Sequence, residues 1–590
     1  MKNIFKIFTA CAVAGSLVLT SCDDWLTLEP ENSVTANNYW QSEADVSGAM
    51  TGIYISLMNT APRMFMHGEM RGDNLAPGPS DNTAYLDIRE GNITSSNAWV
   101  QWAQYYNVIN NCNLLLERAD KALANDASFT VNACESYKAQ ATVVRALMYF
   151  YLIRTYKDVP YVTWAYYDDQ TERNCEVTPQ MDILNDLIAQ LETVQSSGYL
   201  PYSYSTIKPE QNKGQVTMYA LKALLADMYR LKGSLETDAT ASQAAYQKCV
   251  DVCNEIIESG QFALIPIAKV AAVDAGGSYL DDAVSSADSA FYICQTSAAN
   301  TFFQEVFVDG NSAESIFELQ ADDYNASGSF YSMLVQGSRN YMPYRLRLEQ
   351  SLFTETVNEV AASVADYSDL RLAINCRGLG DNVYCWKYAG RSVDNLTSYS
   401  TNTEYVRNVV VYRLAEIYLM KAEALTQLAW ANGEDQERLT EAYMSVFKVR
   451  DRACAVEATD VTLGNGDYVQ VHFFNQLRQG EDITLSGNLT LSCSSMEQFV
   501  LDEECREMLF EGRRWFDVLR HAERNQSGKG SCTGGGINYL LNIVADATTV
   551  DKAAFLRNVY QKPESHYLPY PYNDVKMNEL LDQKPFYGTE

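Results

Sequence analysis

A two-helix unit with small residues at the expected crossing occurs twice in this chain, and it limits the fold more than any other feature. Met218 to Leu231 and Ser242 to Ser259 have helical spacing, with Thr217 placed to cap the first segment. Tyr405 to Leu428 and Arg438 to Cys454 repeat the arrangement. Ala220, Ala223 and Ala226 mark one crossing, Ala415, Ala422 and Ala424 the other, with tyrosines and leucines around them. A helix that is apolar on nearly every side must be covered by neighbours. Further helices are therefore expected, and the sequence supplies them. Glu43 to Leu57 is the first. Trp102, Tyr105, Tyr106, Ile109, Asn113 and Leu116 share one face of the next, with Ser96 or Asn97 placed to cap it. A third carries Ala141 to Tyr156 and should stop before Lys157-Asp158-Val159-Pro160, since proline cannot continue a helix.

These paired helices look like degenerate tetratricopeptide-type repeats. They are not contiguous. A loop rich in Gly, Pro, Asn and Asp runs from about residue 61 to 97, and weakly periodic insertions fill 265–402. The stretches 460–495 and beyond Arg524 are also irregular. The expected fold is mainly α: a tetratricopeptide-like helical-repeat scaffold with long loop-rich insertions. Its N-terminal helical region spans 22–264 and its C-terminal region 265–590. Loops this long are uncommon in compact domains unless they carry function, so a binding site is expected on them.

The N-terminus reads as an export signal over residues 1–21. Lys2 and Lys6 precede a mostly apolar run, Ile7 to Leu19, too short to span a bilayer. Leu19-Thr20-Ser21-Cys22 resembles a lipobox, which makes Cys22 the lipidation site and the mature chain anchored to a membrane. Net charge is −30, which disfavours nucleic acid. Apolar residues make up 47% and aromatics 12%, too many for a disordered chain. Tyrosine outnumbers phenylalanine, 39 to 21, as suits half-wet surfaces and amphipathic helix packing.

Of 14 cysteines none forms a CxxC pair; Cys376 with Cys385 is the one candidate disulfide, and buried thiols account for most others. With four histidines, no HExxH and no His/Cys cluster, no transition-metal site is expected. Asp281-Asp282 and Asp322-Asp323 leave a structural Ca²⁺ open, but no EF-hand pattern supports one. No cofactor is expected. Gly528 to Gly536 contains Gly-Lys without the spacing of a phosphate-binding loop.

Taken in order, the motifs resemble the SusD/RagB family of outer-membrane nutrient-binding lipoproteins from Bacteroidetes. Asp24-Trp25-Leu26-Thr27-Leu28-Glu29-Pro30 is similar to its opening strap, and Trp102, Tyr106, Ile109 and Asn113 to its W…Y..I…N helix. Arg145-Ala146-Leu147-Met148-Tyr149-Phe150 with Tyr156-Lys157-Asp158-Val159-Pro160 resembles RA..YF…YGDVP, except that Lys157 stands where the family has glycine. Gly214-Gln215-Val216-Thr217, the block from Tyr412 to Ala424, the block from Glu504 to Asp517 (with Cys505 unusual) and Tyr567-Leu568-Pro569-Tyr570-Pro571 match in turn. Phe586-Tyr587-Gly588 stands where the family often ends with NPGY. Asp23 and Asp24 after Cys22 resemble the surface-export signal of such lipoproteins.

The resemblance implies a non-enzymatic cell-surface protein of the outer membrane. It would capture oligosaccharide or polysaccharide and deliver it to a SusC-like TonB-dependent transporter. Its site would lie in the loop before the Trp102 helix and in the later insertions. Aromatic faces that stack on sugar rings and side chains that bond hydroxyls then select Asp73, Asn74, Tyr85, Asn97 and Trp99 in the first region. In the second they select Tyr324, Tyr331 and Tyr341. Glu504, Arg506, Glu507, Glu511, Arg513 and Arg514, on one expected helical stretch, read as helix-bracing ion pairs, as do Arg145 and Arg413–Glu416. Three alternatives stand beside this: the same fold binding peptides, as RagB-like relatives do; a surface glycoside hydrolase, for which no catalytic signature is present; and a pure interaction scaffold.

Overall fold

The structure is a computed structural model that describes residues 39–77, 83–166, 174–202, 213–267, 299–321, 341–343, 371–379, 382–392, 407–453, 459–462, 468–471, 491–526, 536–546 and 550–588. The described chain is mainly helical. Cys22, Tyr324, Tyr331, both Asp pairs and most of the Gly528 stretch lie outside the described residues.

Helix α1 (Glu43–Glu69) opens with a capping box between Ser42 and Asp45. It does not end near Leu57, as the sequence suggested, but continues through Pro62. Proline in a helix interior costs about 3 kcal/mol. Met58, Met64, Phe65 and Met66, each no more than 5% exposed, lie around it. Burial contributes roughly 1.5–3 kcal/mol for each such side chain, which outweighs the proline. The expected loop therefore starts at about residue 70. It contains a strand, β1 (Leu75–Pro77), and a short helix, α2 (Thr83–Arg89).

Asn97 caps a 3-10 turn, Ala98–Val100, rather than the long helix; its side chain accepts the Trp99 N–H at 2.9 Å. Helix α3 (Ala103–Asn125) starts beyond it, with Trp102 at the N-cap. Trp102 is buried against Tyr106, Tyr156 and Tyr570 at 5.3–5.5 Å between ring centroids. Helix α4 (Val131–Tyr156) begins at Thr130, whose hydroxyl accepts the Ala133 N–H. It stops at Lys157, whose φ of +66° explains why glycine suits this position.

A short ladder joins β2 (Val159–Pro160) to β3 (Val177–Thr178), and α5 (Gln180–Ser197) follows. The two expected hairpins are present. Helix α6 (Met218–Leu235), capped by Thr217, packs on α7 (Ala239–Ile257). In the second, the run Val409–Arg413 forms a strand before α8 (Leu414–Ala431) begins, and α8 packs on α9 (Gln436–Ala453). Three consecutive valines favour extended backbone here, which the helical expectation from Tyr405 overlooked. That strand pairs antiparallel with β4 (Ser315–Leu319). Helices α7 and α8 also pack together, so the two hairpins share one core.

The expected single helical stretch from Glu504 to Trp515 is two helices, α10 (Cys493–Glu507) and α11 (Arg514–Gln526). Phe510 (φ +62°) and Gly512 (φ +75°) turn the chain between them. This turn crosses α1 backbone to backbone: a Cβ on Gly68 would stand 1.8 Å from the Gly512 carbonyl oxygen. Glu69 Oε1 accepts the Gly512 N–H at 3.1 Å.

Residues 566–587 return to the first half of the chain. Leu568 N–H donates to the Thr155 carbonyl, and Tyr570 O–H to that of Asp158. Lys584 Nζ donates to the carbonyls of Tyr156 and Leu568, at 2.6 Å each. Arg71 Nη1 donates to the His566 carbonyl at 2.5 Å.

Candidate functional site

Two buried ion-pair networks account for the acidic and basic residues of the helix-rich blocks. In one, Arg413 Nη1 binds Glu314 (2.8 Å) and Glu507 (2.5 Å) and Nη2 binds Glu511 (2.8 Å). Arg452, Arg371 and Lys387 complete it. In the other, Arg230 binds Asp227, Glu423 and Glu504, and Arg520 and Arg524 share Glu423. Arg513 pairs with Glu416 at 3.0 Å. The neighbouring guanidinium groups outweigh burial at Glu503 and hold its carboxyl at about 2. Burial pushes Glu416 up to about 7. These groups brace helices distant in sequence and are closed off from solvent. Arg145 likewise donates to Asn113 and Gln190.

Four of the residues singled out in the loop before the Trp102 helix are buried and hold the scaffold together. Asp73 forms an ion pair with Arg514 at 2.9 Å. Asn74 Nδ2 donates to Glu69 Oε2 at 3.3 Å. Tyr85, fully buried, donates to the Leu75 carbonyl. Asn97 ties the 3-10 turn to α2 through the Ala84 carbonyl at 2.9 Å. In this conformation they shape the loop and do not face solvent.

Trp99 differs. It is half-buried and packs against the core from the surface. Arg63, on the part of α1 that the sequence left as loop, lies over its ring at 5.4 Å. Arg63 Nη1 donates to the Ala98 and Trp99 carbonyls, and Nε to Gln104 Oε1 at 2.6 Å. Gln104 is exposed on the first turn of α3. One helical turn beyond Arg63, His67 Nε2–H donates to the Trp99 carbonyl at 2.8 Å, a bond that requires the proton on Nε2. Its Nδ1 then accepts from Tyr105 O–H at 3.0 Å. Burial, then the Arg63 charge, holds the His67 pKa well below its usual value, so the ring is neutral.

The result is a fixed surface of one indole, one guanidinium and one amide. Arg63 Nη2 and Gln104 Nε2 keep N–H donors without protein partners among the described residues. Arg63 was missed because the first helix was expected to end at Leu57 with a loop from about residue 61, and Gln104 because only the core-facing residues of its helix were singled out. The one available signal was the i, i+4 spacing of Arg63 and His67.

The two regions expected to share the site are joined by a ladder. β1 pairs antiparallel with β5 (Tyr341–Pro343), setting Pro77 opposite Tyr341 and Leu75 opposite Pro343. A hairpin of β6 (Cys376–Leu379) and β7 (Asn382–Cys385) places Cys376 opposite Cys385. Among the described residues the one group with metal-ligand proximity is Asp120, Cys134 and Glu135, and Lys138 pairs with both of its carboxylates. No described helix is long and apolar enough to cross a membrane.

Comparison with known proteins agrees with this fold. Residues 373–587 match a family model described as the SusD family, and residues 24–229 match one described as starch-binding associating with outer membrane. SusD-like protein P25 of Formosa agariphila is 25% identical, over 95% of each chain. Among solved structures, B. fragilis NanU superposes with a TM-score of 0.62 at 17% identity, covering 95% of this chain and 100% of that one. A surface glycan-binding protein A from Bacteroides uniformis gives 0.61 at 19% identity, covering 92% and 100%.

Proposed function

The chain belongs to the SusD/RagB family, and from that premise we propose that it is a non-catalytic glycan-binding lipoprotein of the outer membrane. Anchored through Cys22 at the cell surface, it captures oligosaccharide or polysaccharide and passes it to a SusC-like TonB-dependent transporter. The observation that carries this reading is the Arg63–Trp99–Gln104 surface. An indole face stacks on the C–H face of a sugar ring, while unspent guanidinium and amide donors bond its hydroxyls. His67 and Asn97 hold the Trp99 backbone in place before ligand arrives, which lowers the ordering cost of binding. Tyr324, Tyr331 and Tyr341 are proposed as further stacking residues for longer chains, and the ladder brings the backbone of Tyr341 to β1. The names of the relatives support the ligand class: one is a surface glycan-binding protein, and one matching family is described as starch-binding.

The test is affinity electrophoresis of the chain lacking residues 1–22 through gels holding a panel of plant, host and microbial polysaccharides. One glycan class should retard the protein without being shortened. Trp99→Ala should weaken binding about tenfold or more, equivalent to about 1.4 kcal/mol. Shortening of the polymer would replace this reading with an enzyme. Undiminished binding by Trp99→Ala would remove Trp99 from the site, and no retardation by any polymer would favour peptide cargo.

A further inference from the structure

A second cleft lies between α1 and α4. Ser47, Met50, Thr51 and Tyr54 follow one another at helical spacing on the same side of α1. Ser136, Tyr137 and Gln140 face them from α4, and Gln215 also lines the cleft. The cleft holds about 280 Å³. That is just below the usual range of ligand pockets, about 300 to 1,000 Å³, and suits only a small ligand.

Its floor is rigid. Tyr54 O–H donates to Gln140 Oε1 at 2.9 Å and its oxygen accepts the Val216 N–H at 3.0 Å. Gln140 Nε2 donates to the Ser136 carbonyl. The walls, by contrast, have unspent capacity. The hydroxyls of Ser47, Ser136 and Tyr137 and the amide of Gln215 make no hydrogen bond to protein among the described residues. Hydroxyls both donate and accept, so the walls match a ligand whose own groups do both. Met50 offers an apolar, adaptable face beside them.

No charged side chain lines the cleft, although charged residues make up 20% of the chain and its net charge is −30. An ionised ligand would lose hydration here without a counter-charge. An uncharged ligand bearing several hydroxyls on a partly apolar ring pays no such penalty. We propose that the α1–α4 cleft is a second binding site, for one uncharged polyhydroxylated ring such as a neutral sugar unit. The site stands on its own residues and does not depend on Trp99.

The experiment uses the chain lacking residues 1–22 with ¹³C-methyl methionine, the Met50 signal being assigned by its loss in Met50→Leu. Glucose, galactose, mannose, xylose and maltotriose are titrated separately. At least one should move the Met50 methyl signal saturably. Ser136→Trp, which fills the cleft, should weaken that response at least about tenfold. Ser47→Leu serves the same purpose if Ser136→Trp fails to fold. Trp99→Ala should leave the Met50 response unchanged even where it abolishes retardation by polysaccharide. The proposal is overturned if none of the five sugars shifts Met50 saturably, if the shift survives both filling variants, or if Trp99→Ala abolishes it.

Discussion

Gly68→Ala and Gly52→Ala make the same chemical change on the same helix and should move stability in opposite directions. At Gly52 an added methyl meets nothing within 4 Å. Replacing a helix-interior glycine there should stabilise the protein by about 0.5–1 kcal/mol. At Gly68 the methyl carbon would sit 1.8 Å from the Gly512 carbonyl oxygen and 2.2 Å from its carbon. Contact carbons prefer separations of about 3.5–4.0 Å, so the crossing must open by well over an ångström. Gly512 cannot yield freely. Glu69 holds its N–H, and ion pairs hold Arg513 and Arg514 next to it. Overpacking costs typically about 1–3 kcal/mol, and a backbone clash belongs at the upper end. After the helix gain is subtracted, Gly68→Ala should lose about 2 kcal/mol, and the two variants should differ by about 3 kcal/mol. An unfolding entropy near 2.1 cal/mol/K per residue gives roughly 1.2 kcal/mol/K for a chain of this length, so the gap is about 2–3 °C. Scanning calorimetry on wild type and both variants resolves it. Glycan binding should weaken in Gly68→Ala alone, because Arg63 and His67 sit on the displaced end of α1. Melting temperatures that coincide within about 1 °C would refute the reasoning, since the crossing would then be soft.

Arg413→Met should destabilise the chain by about 3–5 kcal/mol, because it leaves Glu314, Glu507 and Glu511 buried with fewer cations; a urea midpoint no lower than wild type would rule this out. Lys157→Gly should raise the urea midpoint, a gain of about 0.5–1 kcal/mol after loss of the weak contact with the Tyr567 ring is subtracted. Burial pushes the Glu69 carboxyl up to about 8, so the folded state holds a proton that the unfolded state releases near pH 4.5. Its contribution to stability is complete below that lower value and is lost as the pH rises through about 8. Glu69→Gln should therefore flatten the fall in stability between about pH 5 and 8, as read from melting temperatures across that range; an unchanged slope would assign the fall to other groups.

The helical scaffold was legible because its signals are local. A cap residue such as Thr217 and the alanine-rich crossings depend on neighbours three or four positions away. The misread elements turn on contacts from elsewhere in the chain. Pro62 looks like a helix end until the packing around Met58 and Phe65 is known. The turn at Phe510–Gly512 has no purpose until α1 lies against it. The Val409–Arg413 run is a strand because β4 is there to pair with it. The candidate site was legible only in part for the same reason. Trp99 could be picked as a surface aromatic, but Asp73 and Asn74 have the same composition cues as ligand-binding residues, and their partners, Arg514 and Glu69, decide otherwise. Arg63 and Gln104 meet only because α1 and α3 lie side by side.

The return of residues 566–587 to the end of α4 sets an order on folding. More than 400 residues separate Thr155 from Leu568 and 428 separate Tyr156 from Lys584, yet each pair shares a hydrogen bond. The carbonyls at the end of α4 and the face of Trp102 against Tyr570 stay unfinished until that late segment has been synthesised and delivered. Closing so long a loop is slow, and its reward comes only at the end. A chain emerging in sequence thus leaves these N-terminal contacts open until its last segment arrives. The last segment is thereby the step that completes the first helices.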